Sequence, residues 1–288
     1  MGARGGAMSG AGGRDEAAAG GEAAAADGEA AAAGGEAAAF KSFEAAGWSA
    51  RAGTYDALTA RATAFAHPAL LAHVKAGDRV VDVGCGPGTL AAAAAAKGAD
   101  VTGVDLAPGM IAEARRRHPD LSFVEADAER LPFEDGAFDV ALGAFLVNHT
   151  PDARAAVAEL KRVARTVALA AWGPAEEVAF LDLPSRAVSG LGGVPDGPDS
   201  ELYAHPDRLA ALLGGDATVT TVRDTLHVDS LDALWDGARG GTVRTAARIE
   251  HATDEHRARL EALAEPYRTA AGYALPLTIL VAWVVQEP

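Results

Sequence analysis

The chain has 288 residues, 49% of them hydrophobic, with 40 acidic residues against 25 Lys and Arg and a net charge of −15. That is enough apolar material for one large α/β domain with insertions or two modest domains. The acidity argues against a nucleic-acid partner, because phosphates are met by excess Lys and Arg. A single cysteine, Cys85, excludes an internal disulfide framework.

Residues 1–39 are built almost wholly from Ala, Gly and Glu, with Gly20-Gly21-Glu22-Ala23 recurring loosely as Gly34-Gly35-Glu36-Ala37. So few large apolar side chains cannot offset the entropy of ordering the segment. It is expected to be a disordered tail, with the folded domain running over 40–288. The tail has neither the basic start nor the unbroken apolar run of a secretory signal, and no later stretch reaches transmembrane length. A cytoplasmic protein without membrane contact is therefore expected.

Aromatic residues begin at Phe40 and continue through Phe43, Trp48, Tyr55 and Phe65, where two helices are expected. The most informative stretch follows. Val80-Val81-Asp82-Val83 reads as a buried parallel strand, Gly84-Cys85-Gly86-Pro87-Gly88 as a tight turn, and Ala91 to Ala96 as a helix. A second strand over Asp100 to Val104 ends at Asp105, 21 positions beyond Gly84, where a carboxylate can accept hydrogen bonds from a ribose. Cys85 reads as a small buried filler of the turn.

The glycine spacing is Gly-x-Gly-x-Gly with Thr89 in the slot that dinucleotide folds give to Gly or Ala. Asp82, two residues before the turn, would repel a pyrophosphate but suits a ligand carrying an amino group. Here the sequence resembles the class I S-adenosylmethionine-dependent methyltransferases, whose first motif reads acidic-x-Gly-x-Gly-x-Gly. The resemblance implies a Rossmann-like, seven-stranded, doubly wound α/β sheet with S-adenosyl-L-methionine as cofactor. It covers the chain from about Phe40 onward.

The same resemblance assigns cofactor contacts to Asp82, Gly84, Cys85, Gly86, Gly88, Asp105, Leu106, Met110, Asp127, Ala128 and Ala144. Met110 falls near the adenine, and Asp127 becomes the partner of the adenine amino group, with Ala128 beside it. Tyr55 and Arg51 are candidates for the methionine carboxylate, with simple packing of Trp48 and Tyr55 as the alternative.

The third strand is read at Leu121 to Val124 and the fourth at Phe138 to Leu142, opening into Gly143 to Asp152. His149 stands there, where the family places its reaction centre. It is the candidate catalytic base, since imidazole titrates close to neutral pH; support of the following helix start is the alternative.

Asp152 begins an amphipathic helix with Ala156, Leu160 and Val163 on its stripe, followed by a fifth strand over Val167 to Trp172 without the family's usual Pro-Gly-Gly turn. A sixth strand is read at Thr218 to Val222. The last, Leu277 to Val285, is expected antiparallel between the fifth and sixth. Two insertions, about 172–213 and 228–273, are expected to form an acceptor lid. Phe180, Tyr203, Trp235, Tyr267 and Tyr273 are candidates for an aromatic pocket or for ordinary core, and Arg239 and Arg244 for pairing an acidic substrate or for solvated surface. The scattered histidines give no metal spacing.

The implied activity is methyl transfer to a small-molecule acceptor. A cofactor-binding protein or cyclase on the same scaffold, a nicotinamide-dependent oxidoreductase, and an interaction protein acting through its tail stand as alternatives.

Overall fold

The computed structural model of the chain describes residues 1–2, 34–195, 197–199, 201–214 and 216–286. Most of the expected tail lies outside the described residues. Residues 34–51 form one helix, α1, which starts within the stretch read as tail and runs on past Phe40. Its physical cause is continuity: alanine favours helix, and the turns beyond it are anchored through Phe40, which is buried. Short helical pieces follow, among them α2 (Thr59–Thr63) and α3 (His67–Leu70).

Strand β1 (Arg79–Val83) lies centrally in the sheet, and Val80, Val81 and Val83 are buried on its two faces. Gly84, Gly86 and Gly88 all take positive φ, which side chains with a Cβ rarely adopt, and the chain then turns into α4 (Thr89–Ala96). The alternation of strand and helix continues through β2 (Asp100–Asp105), α5 (Pro108–Arg117), β3 (Ser122–Glu125), β4 (Phe138–Ala144), α6 (Ala153–Val163) and β5 (Ala164–Trp172). Asp152 caps α6 by accepting from the backbone of Arg154 and Ala155, both at 3.0 Å. The expected stripe of Ala156, Leu160 and Val163 is fully buried; burying Leu160 alone stabilises the fold by roughly 1.5–3 kcal/mol.

Beyond β5 come α7 (Ala179–Ala187), α8 (Pro206–Leu213), β6 (Thr218–Val228), α9 (Leu231–Gly241), α10 (Arg244–Ile249), α11 (Asp254–Ala264), the two-residue β7 (Arg268–Thr269) and the long β8 (Gly272–Val285). The sheet order is β3-β2-β1-β4-β5-β8-β6, with β7 paired to the start of β8. All pairs from β3 to β5 are parallel, whereas β8 runs antiparallel to both β5 and β6. The seven expected strands are present in the expected order, and β7 adds an eighth.

Two apolar layers cover the sheet. One gathers side chains of α4, α5, α7 and α9 against Val80, Val101, Leu142 and Ile279. The other packs α6 and α8 against Val81, Val104, Leu169 and Leu280. Helix α8 therefore covers the sheet, although it lies within the first expected lid insertion. Among the described residues no helix is long and apolar enough to cross a membrane.

Candidate active site

The ends of β1, β2 and β4, together with the segment after β3, open on one cleft of about 120 Å³. Its walls include Gly84, Gly86, Asp105, Leu106, Met110, Asp127, Ala128, Ala144 and Tyr55, nine of the twelve expected cofactor contacts. Asp105 is fixed by the turn: Gly86 donates its backbone N–H to one carboxylate oxygen at 2.9 Å, and Ala107 donates to the other at 2.8 Å. Each oxygen keeps a lone pair, so the carboxylate can still accept from a diol. Burial pushes the Asp105 carboxyl up, against the pull of these hydrogen bonds.

Asp82, Cys85 and Gly88 are not on the wall. The Cys85 Sγ packs towards Gly103, and a Cβ at Gly88 would lie 3.0 Å from both His118 and Phe123, so both residues shape the turn from behind. Burial pushes the Cys85 thiol well up, in keeping with a filler. Asp82 is 1% exposed, neither oxygen has a partner at full hydrogen-bond geometry, and burial followed by the nearby Asp105 carboxylate pushes it up to about 7 against a weak pull from the Ala91 backbone N–H. Two carboxylates gathered beneath an apolar cleft are an unbalanced negative centre.

Helix α1 closes the cleft. Gly109, in the first turn of α5, allows it to sit down: a Cβ there would meet the Ser49 backbone at 2.7 Å, and the Gly109 N–H donates to Ser49 Oγ at 3.1 Å. Lys41 reaches across to Asp127 at 2.7 Å and to Glu129 at 2.5 Å. The expected adenine partner thus already holds a cation from α1. Arg51 is turned away instead, donating to the carbonyls of Gly47 and Arg239, so it does not reach the cleft as expected. Tyr55 does line it, and burial pushes its phenol up to about 12.

A larger cavity of about 460 Å³ adjoins this cleft. Trp172, Val178, Leu181, Leu191 and Val243 give it apolar walls, and Ser185, Thr242, Arg244 and Arg248 polar ones. Both insertions contribute. The expected aromatic wall does not form: Phe180, Trp235 and Tyr273 are buried in the core, and neither Tyr203 nor Tyr267 lines the cavity. Trp48 and Trp172 are the aromatic residues that do. Arg244 faces the cavity, while Arg239 is paired with Asp236.

Phe145 lines the smaller cleft and stacks on Trp172 of the larger. It takes φ 59°, an uncommon conformation for a bulky side chain, held by its N–H to the Ala170 carbonyl and by stacking on Trp172 with ring centres 4.0 Å apart. Trp48 and His149 line both cavities and touch edge to face at 5.2 Å. His149 Nδ1 lies 2.9 Å from Glu44 Oε2 of α1, a buried partner that the sequence reading missed. A signal for it existed: Phe40, Glu44 and Trp48 recur at helical spacing, so Glu44 sits within an apolar stripe. Among the described residues no group of side chains is suited to hold a metal ion.

A family model described as a methyltransferase domain matches residues 80–167, the stretch that builds the turn, Asp105, Asp127 and His149. The chain is 37% identical over 195 residues to the demethylmenaquinone methyltransferase of Thermus thermophilus, covering 59% of this chain and 86% of that one. This chain belongs to the class I S-adenosylmethionine-dependent methyltransferase family. It is also 37% identical over 153 residues to the demethylmenaquinone methyltransferase of Beutenbergia cavernae and 31% identical over 166 residues to the malonyl-[acyl-carrier protein] O-methyltransferase of Serratia marcescens. These alignments take in 48% and 57% of this chain, and it spans just under two thirds of the length of those two relatives, 64% and 62%. A solved protein of Bacillus halodurans C-125 aligns with a TM-score of 0.53 at 18% identity, over 78% of this chain and 99% of that one, a likeness of fold.

The family's cofactor fits these residues. The unfilled lone pairs of Asp105 suit ribose hydroxyls, and the unpartnered, buried Asp82 supplies the negative charge that a ligand with a cationic amino-acid end requires.

Proposed function

We propose that this chain binds S-adenosyl-L-methionine in the smaller cleft and methylates a small-molecule acceptor seated in the larger cavity. One observation carries the reading: the two spaces share the walls Trp48 and His149, so a transferring group and its acceptor can meet there. Asp105 would hold the ribose, Ala128 and Met110 would pack on the adenine, and Asp82 would balance positive charge from below. Asp127 would receive the adenine amino group once Lys41 shares or yields its carboxylate.

When bound, the cofactor supplies a methyl group already activated on a sulfonium. The chain's own task is then to orient the acceptor, exclude water and receive a proton where the acceptor carries one. Helix α1 excludes water by covering the cleft, and His149 is the base at the junction. The parts of the two insertions that line the cavity, within 172–213 and 228–273, act as the acceptor lid. Demethylmenaquinone and malonyl thioesters, named for the relatives, are the first acceptors to screen, followed by hydroxylated aromatics.

Calorimetry with S-adenosylmethionine, its demethylated product and NAD, joined to a screen for labelled methyl transfer, tests the reading. Binding of the first two and not of NAD is expected, with turnover lowered ~10²-fold in His149→Ala at unchanged cofactor affinity. NAD binding without response to either adenosyl ligand contradicts the cofactor assignment. Turnover within a few-fold of the parent in His149→Ala contradicts the base.

A further inference from the structure

Glu44 is 2% exposed and stands on the face of α1 turned towards the junction of the two cavities. Its Oε2 accepts from Trp48 Nε1 at 2.9 Å and meets His149 Nδ1 at 2.9 Å, while Oε1 has no hydrogen-bond partner and lies 3.9 Å from Arg244 Nε. Burial pushes the carboxyl up, yet the imidazole, Arg244 and the Trp48 hydrogen bond together hold it below the ordinary Glu value. The Trp48 N–H and the Arg244 guanidinium both favour its ionised form, whatever the charge on the imidazole. An ionised carboxylate only accepts, so the short contact makes Nδ1 the donor and leaves Nε2 of neutral His149 with a bare lone pair.

Fold stability alone does not account for this arrangement. A buried charge with one oxygen unbonded costs free energy that an apolar residue in the same stripe would avoid. Glu44, His149 and Arg244 come from three separate parts of the chain, α1, the segment after β4, and α10. Arg244 already meets the His149 segment through the Asn148 carbonyl, and α1 brings Glu44 to both.

We propose that Glu44 is a positioning residue that fixes His149 with Nδ1 protonated and Nε2 bare, so that the site serves acceptors whose attacking atom carries a proton, a hydroxyl or an N–H. The inference rests on the reading of His149 as the base and adds both its partner and the acceptor class. In the step it serves, the acceptor oxygen or nitrogen bonds to the methyl carbon, whose bond to sulfur breaks with the electron pair left on sulfur. The acceptor's proton passes to His149 Nε2. The resulting imidazolium faces the Glu44 carboxylate, which favours it over an isolated cation.

The test uses the full chain loaded with S-adenosylhomocysteine and needs no acceptor. Nitrogen-15 NMR of the imidazoles at neutral pH, with the His149 signals assigned by their loss in His149→Ala, reads which nitrogen bears the proton. Nδ1 protonated and Nε2 bare is expected in the parent. In Glu44→Gln, whose amide can donate as well as accept, the other tautomer should gain. Diethyl pyrocarbonate, followed by peptide mass spectrometry, reads the reactivity of the bare nitrogen. It should modify His149 at least about fivefold more slowly in Glu44→Gln, with partial recovery in Glu44→Asp, each variant being saturated with S-adenosylhomocysteine. A parent protonated on Nε2, or equal modification rates in parent and Glu44→Gln, overturns the positioning role. If Glu44→Gln does not fold, the parent's tautomer alone decides. Failure of the parent to bind S-adenosylhomocysteine instead overturns the proposed function, so the two failures are distinct.

Discussion

The two cavities that meet at His149 are built in different ways. The smaller takes most of its wall from strand ends of one sheet: the turn after β1, Asp105 at the end of β2, the segment after β3, and Ala144 at the end of β4. Ladder hydrogen bonds fix these ends relative to one another, so its polar groups are held by backbone. The larger takes its wall mainly from one stretch in each insertion, Trp172 to Glu201 and Gly241 to Arg248, with Trp48 of α1 beside them. A sheet-set cleft suits a ligand that does not change, whereas a wall of helices and loops can be altered without disturbing the sheet.

The strongest way to break the contrast is to titrate Asp82. Its carboxyl, pushed up to about 7 by burial and then by Asp105, stands above its unfolded value. The protonated form is therefore favoured by folding, and stability is lost as pH rises from about 4 towards 7. Asp82→Asn should raise the cofactor-free melting temperature by several degrees at pH 8, reflecting up to about 4 kcal/mol. The same substitution should weaken S-adenosylmethionine binding. In the parent, affinity should fall as pH drops below about 7, approaching tenfold per unit, and the substitution should flatten that slope. A slope unchanged in Asp82→Asn would show that no cation is bound above this carboxylate.

Next in size, Asp105→Ala should weaken cofactor binding by roughly 1–3 kcal/mol, because the ribose hydroxyls lose an acceptor and the Gly86 and Ala107 N–H groups lose theirs. Unchanged affinity by calorimetry would place the ribose elsewhere. Lys41→Ala should have a smaller effect, of about 1 kcal/mol or less, and chiefly on exchange: the cover loses its tie to Asp127 and Glu129, so stopped-flow release of S-adenosylhomocysteine should quicken. Release at the parental rate would mean that α1 is held by its apolar contacts alone. Smallest of all, deletion of residues 1–33 should leave cofactor affinity and melting temperature unchanged, since the segment brings few large apolar side chains to bury.

The sequence made the smaller cleft legible because its residues sit at fixed offsets from strand ends. Once Val80 to Val83 is read as a strand, the glycine turn and Asp105 follow from spacing, while Met110, Asp127, Ala128 and Ala144 came from the family resemblance. Asp82, Cys85 and Gly88 lie behind the wall, because a motif position names a neighbourhood and not the direction of its side chain. The larger cavity was not legible, because composition does not say which way an aromatic residue points. Phe180, Trp235 and Tyr273 went into the core, and Trp48 with Trp172 became wall. Lys41 and Glu44 were hidden for another reason. Their partners lie 86 and 105 residues away, and reading a helix after Phe40 does not say what its polar side chains meet across the cleft.

The most direct measurement is a crystal structure of the full chain with S-adenosylhomocysteine. The ribose should lie on Asp105, the adenine beside Ala128 and Met110, and the sulfur at the shared wall of Trp48 and His149, facing the larger cavity. A ligand seated wholly within the larger cavity, or one whose sulfur is walled off from His149 by Phe145, would contradict methyl transfer across this junction.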